Sequence, residues 1–151
     1  MTTTHVIRRK VPPLHVVAGV IRRGDRYLMQ QRSAKRDYPF MWESPGGKVE
    51  RGENLEGALW RELVEEIGLG SHALTLPCEK IFDVELDLDL GRPVVLTFFR
   101  VFVNEAWIPQ TLDAAGRGWF TLAEMEAMIP GNVELLRRLL AERAASAPGS
   151  R

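Results

Sequence analysis

The chain has 151 residues, enough for one domain of ordinary size, and its 45% hydrophobic and 26% charged fractions are those of a globular protein, not of a disordered or membrane-embedded one. Twenty basic and twenty acidic side chains cancel, which argues against long nucleic acid as a partner. Cys78 is the only cysteine, so intramolecular disulfides and cysteine-based zinc clusters are excluded, and no apolar run is long enough to span a membrane.

In chain order, residues 1–12 read as a loose tail. Leu14 to Ile21 is apolar and β-branched, a strand, and Gly24-Asp25 turns it into a second strand at Tyr27-Leu28-Met29. Residues 32–47 read as a long loop carrying Arg32, Lys35, Arg36, Tyr38, Phe40 and Trp42 and ending in Pro45-Gly46-Gly47. A helix follows, with Asn54 as N-cap, Glu56 in the first turn and Gly68 as the left-handed residue after its end. Leu55, Leu59, Leu63 and Ile67 give it one apolar face. Leu74 to Leu88 and Val94 to Val103 are strands joined through Leu90-Gly91-Arg92, and Trp119-Phe120 is a short strand. Thr121 to Met128 and Val133 to Arg143 read as helices, with residues 144–151 a loose tail. No repeat or linker divides the chain. Paired strands interrupted by helices predict a single α+β domain with a mixed sheet.

The densest chemistry lies on the first helix. Glu62, Glu65 and Glu66 stand at i, i+3 and i+4, within one sector of about 100°, and are expected to face away from the leucine stripe into a cleft. Three such carboxylates repel one another unless a positive charge sits among them. Arg61 is one candidate and a bound divalent cation another. Hard oxygen ligands select Mg²⁺, Mn²⁺ or Ca²⁺ over zinc. A solvated acidic helix face is the plain alternative.

Gly47, five residues, Glu53, seven residues, then Arg61-Glu62-Leu63-Val64-Glu65-Glu66-Ile67-Gly68-Leu69 resembles the complete Nudix box, over 23 residues. The wider run Trp42 to Leu69, with Pro45-Gly46-Gly47-Lys48, is similar to the MutT-like branch, which includes 8-oxo-dGTP diphosphatases. The resemblance in order of elements covers about residues 14–143. It implies an α/β/α sandwich and a pyrophosphohydrolase that releases a nucleoside monophosphate and pyrophosphate. Such chemistry needs charge neutralisation and an aligned water. The resemblance implies Mg²⁺, with Mn²⁺ as a substitute, held by Glu62, Glu65, Glu66 and the Gly46 carbonyl, with Glu53 close by and Arg61 orienting the glutamates. Glu62 is the first candidate for taking the water's proton and Glu53 the second. The Gly-Gly pair would let backbone approach where a side chain would block it.

On the substrate side, Arg32 occupies a position where similar enzymes contact the nucleotide, and Arg92 resembles an arginine near the base. Both could equally be solvated. Asn132 resembles the amide that reads the purine edge in the family, with the preceding Pro130 one residue closer than usual. It could instead cap the helix from Val133. Asp113 resembles a fourth metal carboxylate, or is a turn former. Ser44 departs from the family, where an apolar and often aromatic residue precedes Pro-Gly-Gly, and this puts the choice of base in question. Asp83, Glu85, Asp87 and Asp89 read as the solvated face of an edge strand, and the tryptophans as packing.

The expected substrates are (d)NTPs, oxidised purines such as 8-oxo-dGTP above all. Alternatives are CTP or dCTP, ADP-ribose, a dinucleoside polyphosphate or triphosphorylated RNA, or a non-catalytic nucleotide-sensing module. The expected setting is cytoplasmic, as a monomer or homodimer with a small-molecule nucleotide as partner and no membrane.

Overall fold

Alternation decides the central strand. In β1 (Leu14–Arg23), Val17 and Ile21 enter one buried cluster while Ala18 and Val20 enter another, so the strand is buried on both faces. The structure is a computed structural model and describes residues 11–110, 116–125 and 131–146, without the side chain of Leu76. The remaining strands are β2 (Arg26–Gln31), β3 (Trp42–Glu43), β4 (Gly46–Lys48), β5 (Leu74–Leu86), β6 (Val94–Val103) and β7 (Gly116–Thr121). The helices are α1 (Leu55–Ile67) and α2 (Asn132–Ser146).

The sheet runs β3-β2-β1-β6-β5, with β4 added to β1 and β7 to β2. β6 lies parallel to β1 from Leu14↔Val94 to Ile21↔Val101, and the other pairs are antiparallel, so the sheet is mixed as expected. β1 and β2 pair only at their hairpin, Arg22↔Tyr27 and Arg23↔Arg26. Beyond it they diverge, and residues 42–48 occupy the gap, β3 on β2 and β4 on β1. The segment read as one long loop therefore contains two short strands. Backbone groups left unpaired by the divergence recruit them, as in Gly19 N–H to the Pro45 carbonyl at 2.8 Å.

α1 covers one face of the sheet with Ala58, Leu59, Leu63 and Ile67 against Val17, Ile21, Leu28, Phe99 and Val101. Burial of each large aliphatic side chain contributes roughly 2 kcal/mol. Asn54 caps the helix through Oδ1 to Gly57 N–H at 2.7 Å, and Gly68 ends it at φ 66°. Leu135 and Leu139 of α2 cover the opposite face, on Ala18, Val20, Met29, Phe82 and Phe98. The α/β/α layering follows.

Three boundaries differ from expectation. Thr121 starts only a short 3-10 turn, Leu122–Glu124, closed by a capping box with Glu124, and residues 126–130 lie outside the described set. α2 continues through Ser146, past the predicted start of the tail, while residues 1–10 and 147–151 also lie outside it. Asn132 is the first residue of α2, not its cap. Gly131, at φ 90°, makes the entry, and its carbonyl accepts from Leu135 N–H. β5 is the sheet's edge, and Asp83, Glu85, Asp87 and Asp89 are exposed there and beyond its end, as read.

Candidate active site

Arg61 is the hub of the acidic helix. Its guanidinium grips Glu53 with two bonds of 2.8 Å, reaches Glu62 at 2.9 Å and Glu65 at 3.4 Å, and donates to the Lys48 carbonyl at 2.9 Å. The Arg61 bonds hold the Glu53 carboxyl down at about 2, helped by a bond from Glu50 N–H. In return Glu53, then Glu62, keep Arg61 more firmly protonated than usual. The like-charge repulsion expected on this helix is relieved from within the chain.

The three glutamates do not share one environment. Glu65 is exposed, Glu62 half-buried and Glu66 buried. They were expected to face away from the leucine stripe, and two of them do not. Glu62 and Glu66 each follow Leu55 and Leu59 by seven residues, two turns, so they border the buried face. Glu66 sits between sheet and helix, where its Oε2 accepts from Gln30 Nε2 at 2.7 Å and from Gly46 N–H at 3.1 Å. Burial pushes its carboxyl up to about 7 against those bonds, and the charges of Glu62 and Glu43 add to the rise. A Cβ on Gly47 would collide with the Glu62 carboxylate, and one on Gly46 with the Val17 carbonyl. Gly46 is required by this close approach of backbone, as the sequence suggested, while a side chain at Gly47 would displace the Glu62 carboxylate from its place beside Arg61.

On the other side of these glycines lies a cleft of about 780 Å³. Its floor includes Leu14, Val16 and Ala18 of β1 and Val94 and Leu96 of β6. Arg32, Lys35, Arg36 and Tyr38 line it from the loop after β2, and Leu86, Leu88 and Leu90 from the end of β5. Because β1 and β6 separate β2 from β5, these are opposite walls, one basic and one aliphatic. Glu43, Ser44, Gly46, Gly47, Lys48 and Asn132 complete it. The box glutamates do not line this cleft as predicted; they stand behind its glycine edge, because α1 and the cleft lie on opposite sides of β4.

Of the predicted substrate residues, Arg32 and Asn132 reach the cleft. Arg32 is bonded to the Glu43 carboxylate at 3.0 and 3.3 Å and to the Asp37 carbonyl at 2.6 Å. Burial raises the Glu43 carboxyl while Arg32 opposes the rise. Asn132 is buried, and its Oδ1 accepts from Ser44 N–H at 3.0 Å, tying α2 to the Pro-Gly-Gly segment. Ser44 is itself buried, over Met29. Arg92 is exposed in the β5–β6 turn and is not among the residues lining the cleft. Asp113 lies outside the described residues. Trp42 packs edge-on against Phe120. Sequence reasoning missed Glu43 and Gln30. The available signal was a polar residue inside an otherwise apolar strand and a carboxylate between Trp42 and the Pro-Gly-Gly turn.

All the carboxylate and carbonyl ligands clustered here are hard oxygens, and the charges of Glu62 and Glu43 bear on Glu66, so the set suits a divalent cation of the Mg²⁺ or Mn²⁺ class. As the side chains lie, no three carboxylates among the described residues surround a single point closely enough to hold an ion, while Arg61 engages Glu53, Glu62 and Glu65. Among the described residues no helix is long and apolar enough to cross a membrane.

A family model described as the NUDIX domain matches residues 13–141. The 8-oxo-dGTP diphosphatase of Haemophilus influenzae is 38% identical over 136 residues, 85% of this chain and 93% of its own length. The CTP pyrophosphohydrolase of Escherichia coli is 46% identical over 56 residues, 37% of this chain and 42% of its own length. Among solved structures, that of the E. coli ORF135 protein superposes with a TM-score of 0.72 at 30% identity, covering 89% of this chain and 94% of that one.

Proposed function

The chain belongs to the NUDIX family, hydrolases that act on phosphorus anhydride bonds and generally use divalent cations, and from this we propose that it is a Mg²⁺-dependent nucleoside triphosphate pyrophosphohydrolase favouring oxidised purines such as 8-oxo-dGTP. Its setting would be the cytoplasmic nucleotide pool. The observation that carries the reading is the Arg61 cluster on Glu53, Glu62 and Glu65, with Glu66 buried beside Gly46 at the rim of the cleft.

Glu62, Glu65, Glu66 and the Gly46 carbonyl would hold the cation, with Asp113 as a further ligand. The bound cation supplies charge neutralisation on the phosphates and a more acidic water. Glu62 would take the proton of the attacking water, with Glu53, held low by Arg61, the second choice. Arg61 fixes the angle of Glu62 and Glu53 through charge-assisted bonds. Gly46 and Gly47 let phosphate and carboxylates meet across a backbone with no side chain between them. The base would lie in the cleft between the basic loop and the aliphatic wall, its edge read by Asn132 and the Ser44 backbone. Arg32 would lie along the nucleotide, while Arg92, exposed in the β5–β6 turn, would meet it only from outside the cleft lining.

Pyrophosphate release from a panel of 8-oxo-dGTP, dGTP, dATP, CTP, dCTP and ADP-ribose, each with Mg²⁺ and with EDTA, tests the reading. The expected result is Mg²⁺-dependent release with 8-oxo-dGTP fastest by kcat/KM. Faster CTP or dCTP turnover would keep the chemistry and reassign the base. No release from any member would end the proposal.

A further inference from the structure

Gln30 is an amide on an apolar sheet face. In β2 every residue from Tyr27 to Gln30 is buried, and Leu28, on the same side of the strand as Gln30, packs into the cluster under α1. Gln30 is 5% exposed. Burying an amide is unfavourable unless a partner takes its hydrogen bonds. The partner is Glu66: Gln30 Nε2 donates to Oε2 at 2.7 Å, the same oxygen that receives Gly46 N–H at 3.1 Å. Oε1 of Glu66 accepts no hydrogen bond among the described residues. Two donors on one oxygen fix the rotation of the carboxylate, one oxygen fastened to the sheet and the other left over. Neither donor lies on α1; one comes from β2 and one from β4.

We propose that Gln30 is a positioning residue that sets the orientation of the Glu66 carboxylate toward a divalent cation, so that metal affinity is controlled from β2, outside the 23-residue motif. The inference rests on the proposed function in taking Glu66 as a cation ligand. A purely structural pair would behave differently. Replacing a buried amide with an apolar side chain of equal length would then affect folding alone and leave ion binding unchanged.

The test titrates Mn²⁺ into the protein without nucleotide, following the EPR signal of the free ion, for wild type, Gln30→Met, Glu66→Gln and the double variant. Gln30→Met keeps length and shape and removes the donor. Its Mn²⁺ dissociation constant should rise about tenfold or more, the usual effect of losing a partner of a metal ligand. The Mg²⁺ concentration for half-maximal pyrophosphate release should rise in parallel, with KM for nucleotide at saturating Mg²⁺ unchanged. In the Glu66→Gln background, Gln30→Met should add less than about twofold, since the two act through one contact. Gln30→Asn, whose amide falls short of Oε2, covers the case in which Gln30→Met does not fold, and should show the same loss. A folded variant of either kind with wild-type Mn²⁺ affinity overturns the role of Gln30 alone. A wild-type protein that binds no Mn²⁺ overturns it together with the proposed function.

Discussion

The stretch from Gly46 to Leu69 and the cleft beside it are built in opposite ways. The first is one continuous run in which a capped helix, a glycine pair and Arg61 bring five glutamates together over a few turns. The second is assembled from β1, the loop after β2, residues 43–48, the end of β5, the start of β6 and the first residue of α2. Bond cleavage is a demand that any substrate of the class makes, and a compact local motif can meet it. Choosing a base requires opposed walls, and only long-range folding supplies those. The two regions should therefore respond differently to substitution.

The largest effect is expected on the helix. Glu62→Gln keeps the shape and removes the charge, and turnover should fall at least ~10²-fold, as for other groups that stabilise or generate developing charge. Removing divalent ions with EDTA should abolish turnover. Steady-state pyrophosphate release measures both, and near wild-type activity at saturating Mg²⁺ would break the assignment of cleavage to this region. In the cleft, Asn132→Ala orphans the buried Ser44 N–H, which should lower stability by roughly 1–3 kcal/mol. It should also reduce the preference for 8-oxo-dGTP over dGTP about tenfold or more, while leaving Mg²⁺ dependence alone. Asn132→Asp retains an acceptor for Ser44 and should recover much of the stability without recovering the preference. Melting curves alongside kcat/KM ratios separate the two roles.

Legibility in the sequence followed the same division. The helix from Asn54 to Gly68, its cap and its leucine stripe depend on neighbours within a few residues, and the structure has them where periodicity and capping put them. The orientation of Glu66 was misjudged because helical position alone does not say how deeply the sheet reaches around a helix. The donors that hold its buried carboxylate, Gln30 and Gly46, lie 36 and 20 residues away. Residues 32–47 looked structureless because β3 and β4 have only two and three residues and exist to fill the divergence of β1 from β2. Asn132 reads as either a base-reading amide or a helix cap, because the sequence cannot show that Ser44 donates to its oxygen from 88 residues away. The Leu86–Leu90 wall was concealed behind the acidic residues that alternate with it, since one strand face faces solvent and the other the cleft.

A smaller effect sharpens the contrast through pH. The folded Glu66 carboxyl titrates near 7, above its ordinary 4.5, so its contribution to stability is complete below about 4.5 and gone above about 7. Without metal, Glu66→Gln should match wild type in Tm near pH 4.5 and exceed it by a few degrees above pH 7. A cation competes with that proton, so Mg²⁺ should raise the wild-type Tm more at pH 8 than at pH 5. A Tm difference between Glu66→Gln and wild type that does not change with pH would contradict the burial of this carboxyl. The smallest effect belongs to Arg92→Ala. The side chain is exposed in its turn, and KM should change by no more than a few-fold, with stability within about 0.5 kcal/mol.

The division of labour between the two regions is tested most directly by the ratio of kcat/KM for 8-oxo-dGTP over dGTP, measured in wild type, Glu62→Gln and Asn132→Ala at saturating Mg²⁺. Glu62→Gln should lower both rates by a common factor and leave the ratio as in wild type, and Asn132→Ala should reduce the ratio about tenfold or more. A ratio that moves with Glu62→Gln and stays fixed with Asn132→Ala would contradict the account.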